Sequence, residues 1–131
     1  MILTLDFSSD IPIYIQIRNQ IVRAMADGRL KNGERLPTVR ALACEAGINS
    51  MTVNKAYQMM KQEGYIITDR RNGATVCFGN GENDEAKNKI REKFRLIIAE
   101  GKIKGMTERE IIDMCREIYR GDTHDEKKEK E

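Results

Sequence analysis

Gly47-Ile48-Asn49-Ser50-Met51-Thr52-Val53-Asn54-Lys55-Ala56-Tyr57-Gln58-Met59-Met60-Lys61-Gln62-Glu63-Gly64 reads as one helix with both ends marked. Gly47 breaks whatever precedes it, and Asn49 or Ser50 can accept a hydrogen bond from a free first-turn amide. Gly64 stands where a left-handed residue ends a helix. Val53, Ala56, Tyr57 and Met60, with Met59 at the margin, recur at spacings of three and four and form one apolar face. The opposite face (Ser50, Met51, Asn54, Lys55, Gln58, Lys61) is polar apart from Met51 and carries no acid. Short polar groups in front, with amides and cations behind, suit a helix that enters the DNA major groove by its N-terminal end. They also suit a solvated surface helix, and it is the neighbouring segments that favour the groove.

Upstream, Gly33-Glu34-Arg35-Leu36-Pro37-Thr38 is a turn leading to a cap. Thr38 is placed to cap a second helix with Val39, Leu42, Ala43 and Ala46 inward. Arg40 falls in that helix's first turn, where the dipole disfavours a cation. An arginine there can reach a phosphate or a guanine edge; a solvated surface arginine is the alternative. Further back, Ser9 and Asp10 precede Pro12, a pairing that favours a helix start. Ile13, Ile17, Ile21 and Met25 then repeat every four residues, widened by Tyr14 and Ala24, on a first helix ending near Gly28. Residues 1–9 read as short and extended. Helix, short turn at Gly47 and helix have the spacing of a helix-turn-helix.

Downstream, Tyr65-Ile66-Ile67-Thr68 is a strand by its β-branched and aromatic content, and Ala74-Thr75-Val76-Cys77-Phe78 returns as a second. Asp69-Arg70-Arg71-Asn72-Gly73 turns between them. Such a ribbon is a wing, and Arg70 and Arg71 at its tip can lie along the backbone or enter the minor groove. A merely soluble hairpin turn carries charge as well.

Gly79-Asn80-Gly81 marks a boundary. Beyond it a helix from about Asn83 to Ala99 carries the stripe Ile90, Phe94, Ile97 and Ile98, and Gly101 to Gly105 is expected to break the chain. Thr107-Glu108-Arg109-Glu110 fits a capping box that opens a helix with Ile111, Met114, Cys115 and Ile118 on one side. Two short amphipathic helices must bury their stripes, and the same pair on a second chain is the ready solution. Folding back on their own domain is the other. The expected organisation is a DNA-binding domain over residues 1–79, a two-helix dimerisation segment over 80–121 and a charged, disordered tail over 122–131.

The 131 residues leave room for one domain and a small appendage. No apolar run is long enough to span a bilayer and the N-terminus lacks a signal pattern, so a soluble, cytoplasmic protein without membrane partners is expected. Cys44, Cys77 and Cys115 are far apart and suggest small buried thiols, not disulfides or a metal site. The net charge of +2 divides unevenly: residues 1–80 hold 10 Lys/Arg against 7 Asp/Glu, while residues 81–131 hold 13 against 14. The lone histidine, His124, lies in the charged end. Without a phosphate loop, nucleophile elbow or paired metal ligands, no enzyme, cofactor or metal is expected.

Leu36-Pro37-Thr38-Val39-Arg40-Ala41-Leu42-Ala43, Gly47-Ile48-Asn49, Thr52-Val53-Asn54-Lys55-Ala56-Tyr57, Glu63-Gly64-Tyr65-Ile66 and Arg71-Asn72-Gly73-Ala74-Thr75-Val76 together resemble the winged-helix domain of the GntR family of bacterial transcription regulators. Pro12-Ile13-Tyr14-Ile15-Gln16-Ile17 looks like that family's first helix, and the short two-helix tail resembles the YtrA subfamily. The resemblance implies a mainly α fold with a small β-wing, a winged helix-turn-helix followed by a dimerisation segment. It implies DNA contact at Arg40, Asn49, Ser50, Thr52 and Asn54 and at Arg71, Asn72 and Gly73. Charge and position add Lys55 and Arg70, and Met51 on the same face is included with them. Ser50 stands where many relatives carry arginine, and Ala74 where glycine is common.

The expected function is a dimeric repressor of a bacterial, transporter-type operon, bound to a near-palindromic operator in double-stranded DNA. The alternative is a winged helix that docks a protein partner, with Met51 beside Met59 as the adaptable contact. An unidentified small-molecule effector is placed between the two tails or between tail and winged domain.

Overall fold

The computed structural model describes residues 3–78 and 83–121 and divides the chain into two compact units, residues 1–80 and 81–131. The first unit contains α1 (Ile13–Ala26), α2 (Val39–Ala46), α3 (Ser50–Glu63), β1 (Ile66–Asp69) and β2 (Gly73–Val76). The second contains α4 (Asp84–Ile103) and α5 (Glu108–Tyr119). The Gly79–Gly81 boundary and the charged end from Asp122, with His124, lie outside the described residues.

Helix α3 packs against α1, α2 and β1. Its buried stripe is Val53, Ala56, Tyr57 and Met60, with Met59 half-buried, as the three-and-four spacing requires. These side chains meet Ile17, Ile21, Ala24 and Met25 of α1, Leu42 and Ala43 of α2, and Ile66 and Val76 of the hairpin in one core. Burying each large side chain of this set is worth about 1.5–3 kcal/mol. Gly47 and Gly64 end α2 and α3 with φ of +69° and +86°, left-handed backbone that glycine adopts without strain.

The hairpin pairs Ile66 with Val76 through Asp69 with Gly73, antiparallel. Strand β1 is shifted one residue from the expected Tyr65–Thr68, and β2 is one residue shorter than the expected Ala74–Phe78, so Tyr65, Cys77 and Phe78 fall outside. The segment before α2 adds a third edge that the local pattern does not reveal. Leu36 N–H donates to Ala74 O and Val76 N–H to Glu34 O, both at 2.8 Å, and Arg35 bridges Thr75.

Residues 3–9 form no strand. The side-chain amides of α1 strap them down instead: Gln20 exchanges hydrogen bonds with Thr4, and Gln16 with Asp6, at 2.6–2.9 Å. Gln16 also donates to Ile11 O at 2.8 Å, which satisfies a buried amide in an otherwise apolar core.

In the second unit, Asn83 caps α4 by accepting from Ala86 N–H at 3.0 Å. Thr107 and Glu110 close a reciprocal capping box at 3.1 and 3.0 Å. The expected break over Gly101 to Gly105 falls at its far end, because α4 continues past Ala99 to Ile103. A Cβ at Gly101 would lie 3.4 Å from Ile111 and 3.5 Å from Met106, so this glycine marks close packing of the two helices. The chain turns at Gly105, φ +90°. Neither helix buries a residue within this chain. Ile90, Phe94, Ile97, Ile98, Met114 and Ile118 are exposed, with Phe94 at 47%.

The buried-thiol expectation is corrected. Cys44 and Cys115 are exposed and Cys77 is half-buried. Cys44 lies on the side of α2 away from the buried Leu42 and Ala43, and α5, which carries Cys115, has no buried residue.

Candidate nucleic-acid interface

Three pieces carry the expected site residues: the front of α3, the front of α2 and the hairpin tip. All belong to the first unit.

Asn49 caps α3, its Oδ1 accepting from Met51 N–H at 2.7 Å. The cap consumes the side-chain oxygen and leaves the amide N–H groups to donate outward, beside the positive end of the helix dipole. Ser50, Met51 and Asn54 are exposed, Met51 at 76%, and Thr52 is half-buried. The first acid along α3 is Glu63 at its far end, and it holds Arg18 of α1 through paired hydrogen bonds of 2.9 Å. That carboxylate raises the Arg18 pKa. Arg18 also lies over the Tyr65 ring at 5.5 Å.

Lys55 adopts a position that helical spacing alone does not show. Its Nζ sits 4.1 Å from the centroid of the Tyr14 ring, drawn toward α1 by a cation–π contact. Together with Arg18–Glu63 this makes a second clamp between α1 and α3.

At the front of α2, Thr38 Oγ1 accepts from Ala41 N–H at 3.0 Å. Arg40 is exposed and has no ion-pair partner among the described residues. Tyr57 of α3 donates its hydroxyl to Pro37 O at 2.7 Å, and burial raises its pKa, so the phenol stays protonated as a donor. This bond ties the two fronts together.

The hairpin tip is Arg70-Arg71-Asn72, closed by Gly73 at φ +66°. Arg70 and Arg71 are exposed and unpaired among the described residues. Asp69 Oδ1 accepts from Asn72 N–H at 2.5 Å and Oδ2 from Asn72 Nδ2 at 3.3 Å. The Asn72 N–H bond, the Asn72 amide, Arg71 N–H and the Arg35 charge hold the Asp69 carboxyl below its ordinary pKa. Arg35 donates to Asn72 Oδ1 at 3.2 Å. Arg35 was not among the expected site residues, since its bridge to Thr75 joins positions far apart in sequence and has no local signature.

The first unit also holds an open cleft of about 870 Å3 lined by Leu3, Gln20, Arg23, Leu30, Arg35 and Pro37 among others. None of the eleven expected DNA-contact residues lines it.

The arrangement offers hydrogen-bond donors and cations on a helix front, a neighbouring arginine and a basic hairpin tip, the combination that duplex DNA recognition uses. Comparison with known proteins agrees. Residues 13–76 match the model of the gntR family of bacterial regulatory proteins. The HTH-type transcriptional repressor YtrA of Bacillus subtilis is 32% identical over 87% of this chain and 89% of its own length. Among solved structures, a transcriptional antiterminator from Listeria monocytogenes EGD-e superposes with a TM-score of 0.82 at 28% identity, covering 90% of each chain. YtrA from Sulfolobus acidocaldarius, a GntR-family transcription factor, is 36% identical with a TM-score of 0.62 over 76% of this chain and 99% of its own.

Proposed function

The chain belongs to the GntR family of bacterial regulatory proteins, and on that premise we propose that it is a dimeric repressor that reads a near-palindromic operator with the front of α3. The observation that carries this reading is α3 itself. One face buries Val53, Ala56, Tyr57 and Met60, while the other presents Asn49, Ser50, Asn54 and Lys55 to solvent without an acid. Asn49, Ser50, Thr52 and Asn54 read base edges in the major groove, with Met51 packing beside them. Arg40, Lys55, Arg70 and Arg71 neutralise phosphates, and Gly73 lets the wing turn close.

The dimer reading rests on the second unit. Ile90, Phe94, Ile97 and Ile98 on α4 and Met114, Cys115 and Ile118 on α5 are exposed, and Ile111 is only half-buried. A contiguous apolar face of this kind marks an interaction surface. A second copy covers it symmetrically and sets two readers about one helical turn, or a multiple of it, apart on DNA. The repressor name carried by the Bacillus relative supports repression over activation.

The test is selection of bound fragments from random duplex, followed by anisotropy at low and high salt. The reading expects a two-fold symmetric consensus and affinity that falls steeply with salt. A protein that ignores duplex even in dilute buffer favours the second reading, a protein-docking winged helix. Met51, at 76% exposure on the same face, is the observation that supports that alternative.

A further inference from the structure

We propose that Asp69, Asn72 and Arg35 form a latch that shapes the wing tip, so that an acid on the DNA-facing hairpin strengthens operator binding instead of opposing it. The inference rests on the DNA-reading function above. A carboxylate between a phosphate backbone and two arginines is ordinarily a liability, and its removal raises affinity for any duplex.

Here both carboxylate oxygens are engaged within the turn, one by the Asn72 backbone N–H at 2.5 Å and one by the Asn72 amide at 3.3 Å. The Asn72 oxygen in turn receives the Arg35 guanidinium at 3.2 Å. Arg35 comes from outside the hairpin, on the segment whose neighbours Glu34 and Leu36 pair with β2 at 2.8 Å. Three side chains therefore run from the body of the unit to its tip. Asp69 pairs across with Gly73, whose left-handed backbone closes the turn. Arg70 and Arg71 lie between these two held ends, so the latch decides where their guanidinium groups point.

Two roles change. Asn72 is a positioning residue, because its oxygen and one amide proton are spent inside the wing. Asp69 is a positioning residue whose charge Arg35 offsets.

The experiment compares wild type, Asp69→Ala and Asp69→Asn on two duplexes, the selected operator and a scrambled sequence of equal length. The asparagine retains an oxygen for the Asn72 N–H. The latch predicts that Asp69→Ala binds operator about fivefold more weakly, as loss of one net hydrogen bond implies. Binding to the scrambled duplex is expected to hold or tighten, and Asp69→Asn to stay within about twofold of wild type on the operator. Tighter or unchanged binding of Asp69→Ala to the operator overturns the proposal.

Amide exchange at Asn72 tests the latch without DNA. Protection present in wild type and Asp69→Asn but lost in Asp69→Ala supports it, and free exchange in wild type refutes it. Protection in wild type from a protein that binds no duplex leaves the latch as hairpin architecture and rejects its role in DNA reading together with the reading itself.

Discussion

The two units of this chain are equally well punctuated and oppositely packed. In the first, Thr38 and Asn49 cap helices whose apolar stripes vanish into one core, and Gln16, Gln20, Arg18 and Tyr57 stitch the elements together across long sequence distances. In the second, Asn83 and the Thr107–Glu110 box cap two helices just as well, yet no residue of either is buried. Caps fix where a helix begins; only burial tells what its apolar side is for. The first unit closes its core within one chain, whereas the apolar side chains of the second stay exposed.

That contrast can be broken or sharpened by experiment. The largest effect is expected at Phe94. Phe94→Asp places a carboxylate on the open face and should raise the dimer dissociation constant about a thousandfold, about 4 kcal/mol, in sedimentation equilibrium. An unchanged association constant would show that the face serves something other than a second copy. Next comes the core: Met60 is fully buried, and Met60→Ala should cost about 3 kcal/mol in chemical denaturation of the first unit. Truncating Ile98 to alanine should leave the monomer's stability within about 0.5 kcal/mol. A fourth change leaves both the core and the open face alone. Arg40→Ala should lose about 2 kcal/mol of operator affinity by anisotropy, with no change in fold.

The smallest effect is acidic loosening. Asp69 is held below its ordinary pKa chiefly by the Asn72 N–H, and Asp6 chiefly by the Ser8 hydroxyl. A folded-state pKa below the unfolded value, about 3.9, means that these contributions are whole above it and fade as pH drops through the folded value. Amide protection at Ser8 and Asn72 should therefore decline below about pH 4 while the core of the first unit persists. Identical protection at about pH 3 and neutral pH would contradict this.

Much of the fold was legible because it is written locally. Thr38, Gly47, Asn49 and Gly64 announce their caps within a few residues, and the stripe Val53, Ala56, Tyr57, Met60 announces its face. What stayed hidden is long-range. Nothing near Arg35 signals a bridge to Thr75, and nothing near Lys55 signals Tyr14, 41 positions away. Which glycine of the Gly101–Gly105 break turns the chain is hidden for a related reason: Gly105, which ends the helix, and Gly101, which admits a neighbouring side chain, look the same until Ile111 and Met106 are seen against Gly101. The cysteines followed composition when helical phase was the better guide, as Cys44 shows by facing away from Leu42 and Ala43.

The hydroxyl of Tyr57 on the carbonyl of Pro37 gears the fronts of α2 and α3 into one. If α3 rolls in its socket, the Thr38 cap and Arg40 are dragged with it, and the proposed footprint shifts as a whole. On the proposed reading, exchanging Ser50 or Asn54 alters which letters are chosen while leaving that grip where it was. Retargeting such a chain is then a matter of its outward side chains, with the chassis left alone.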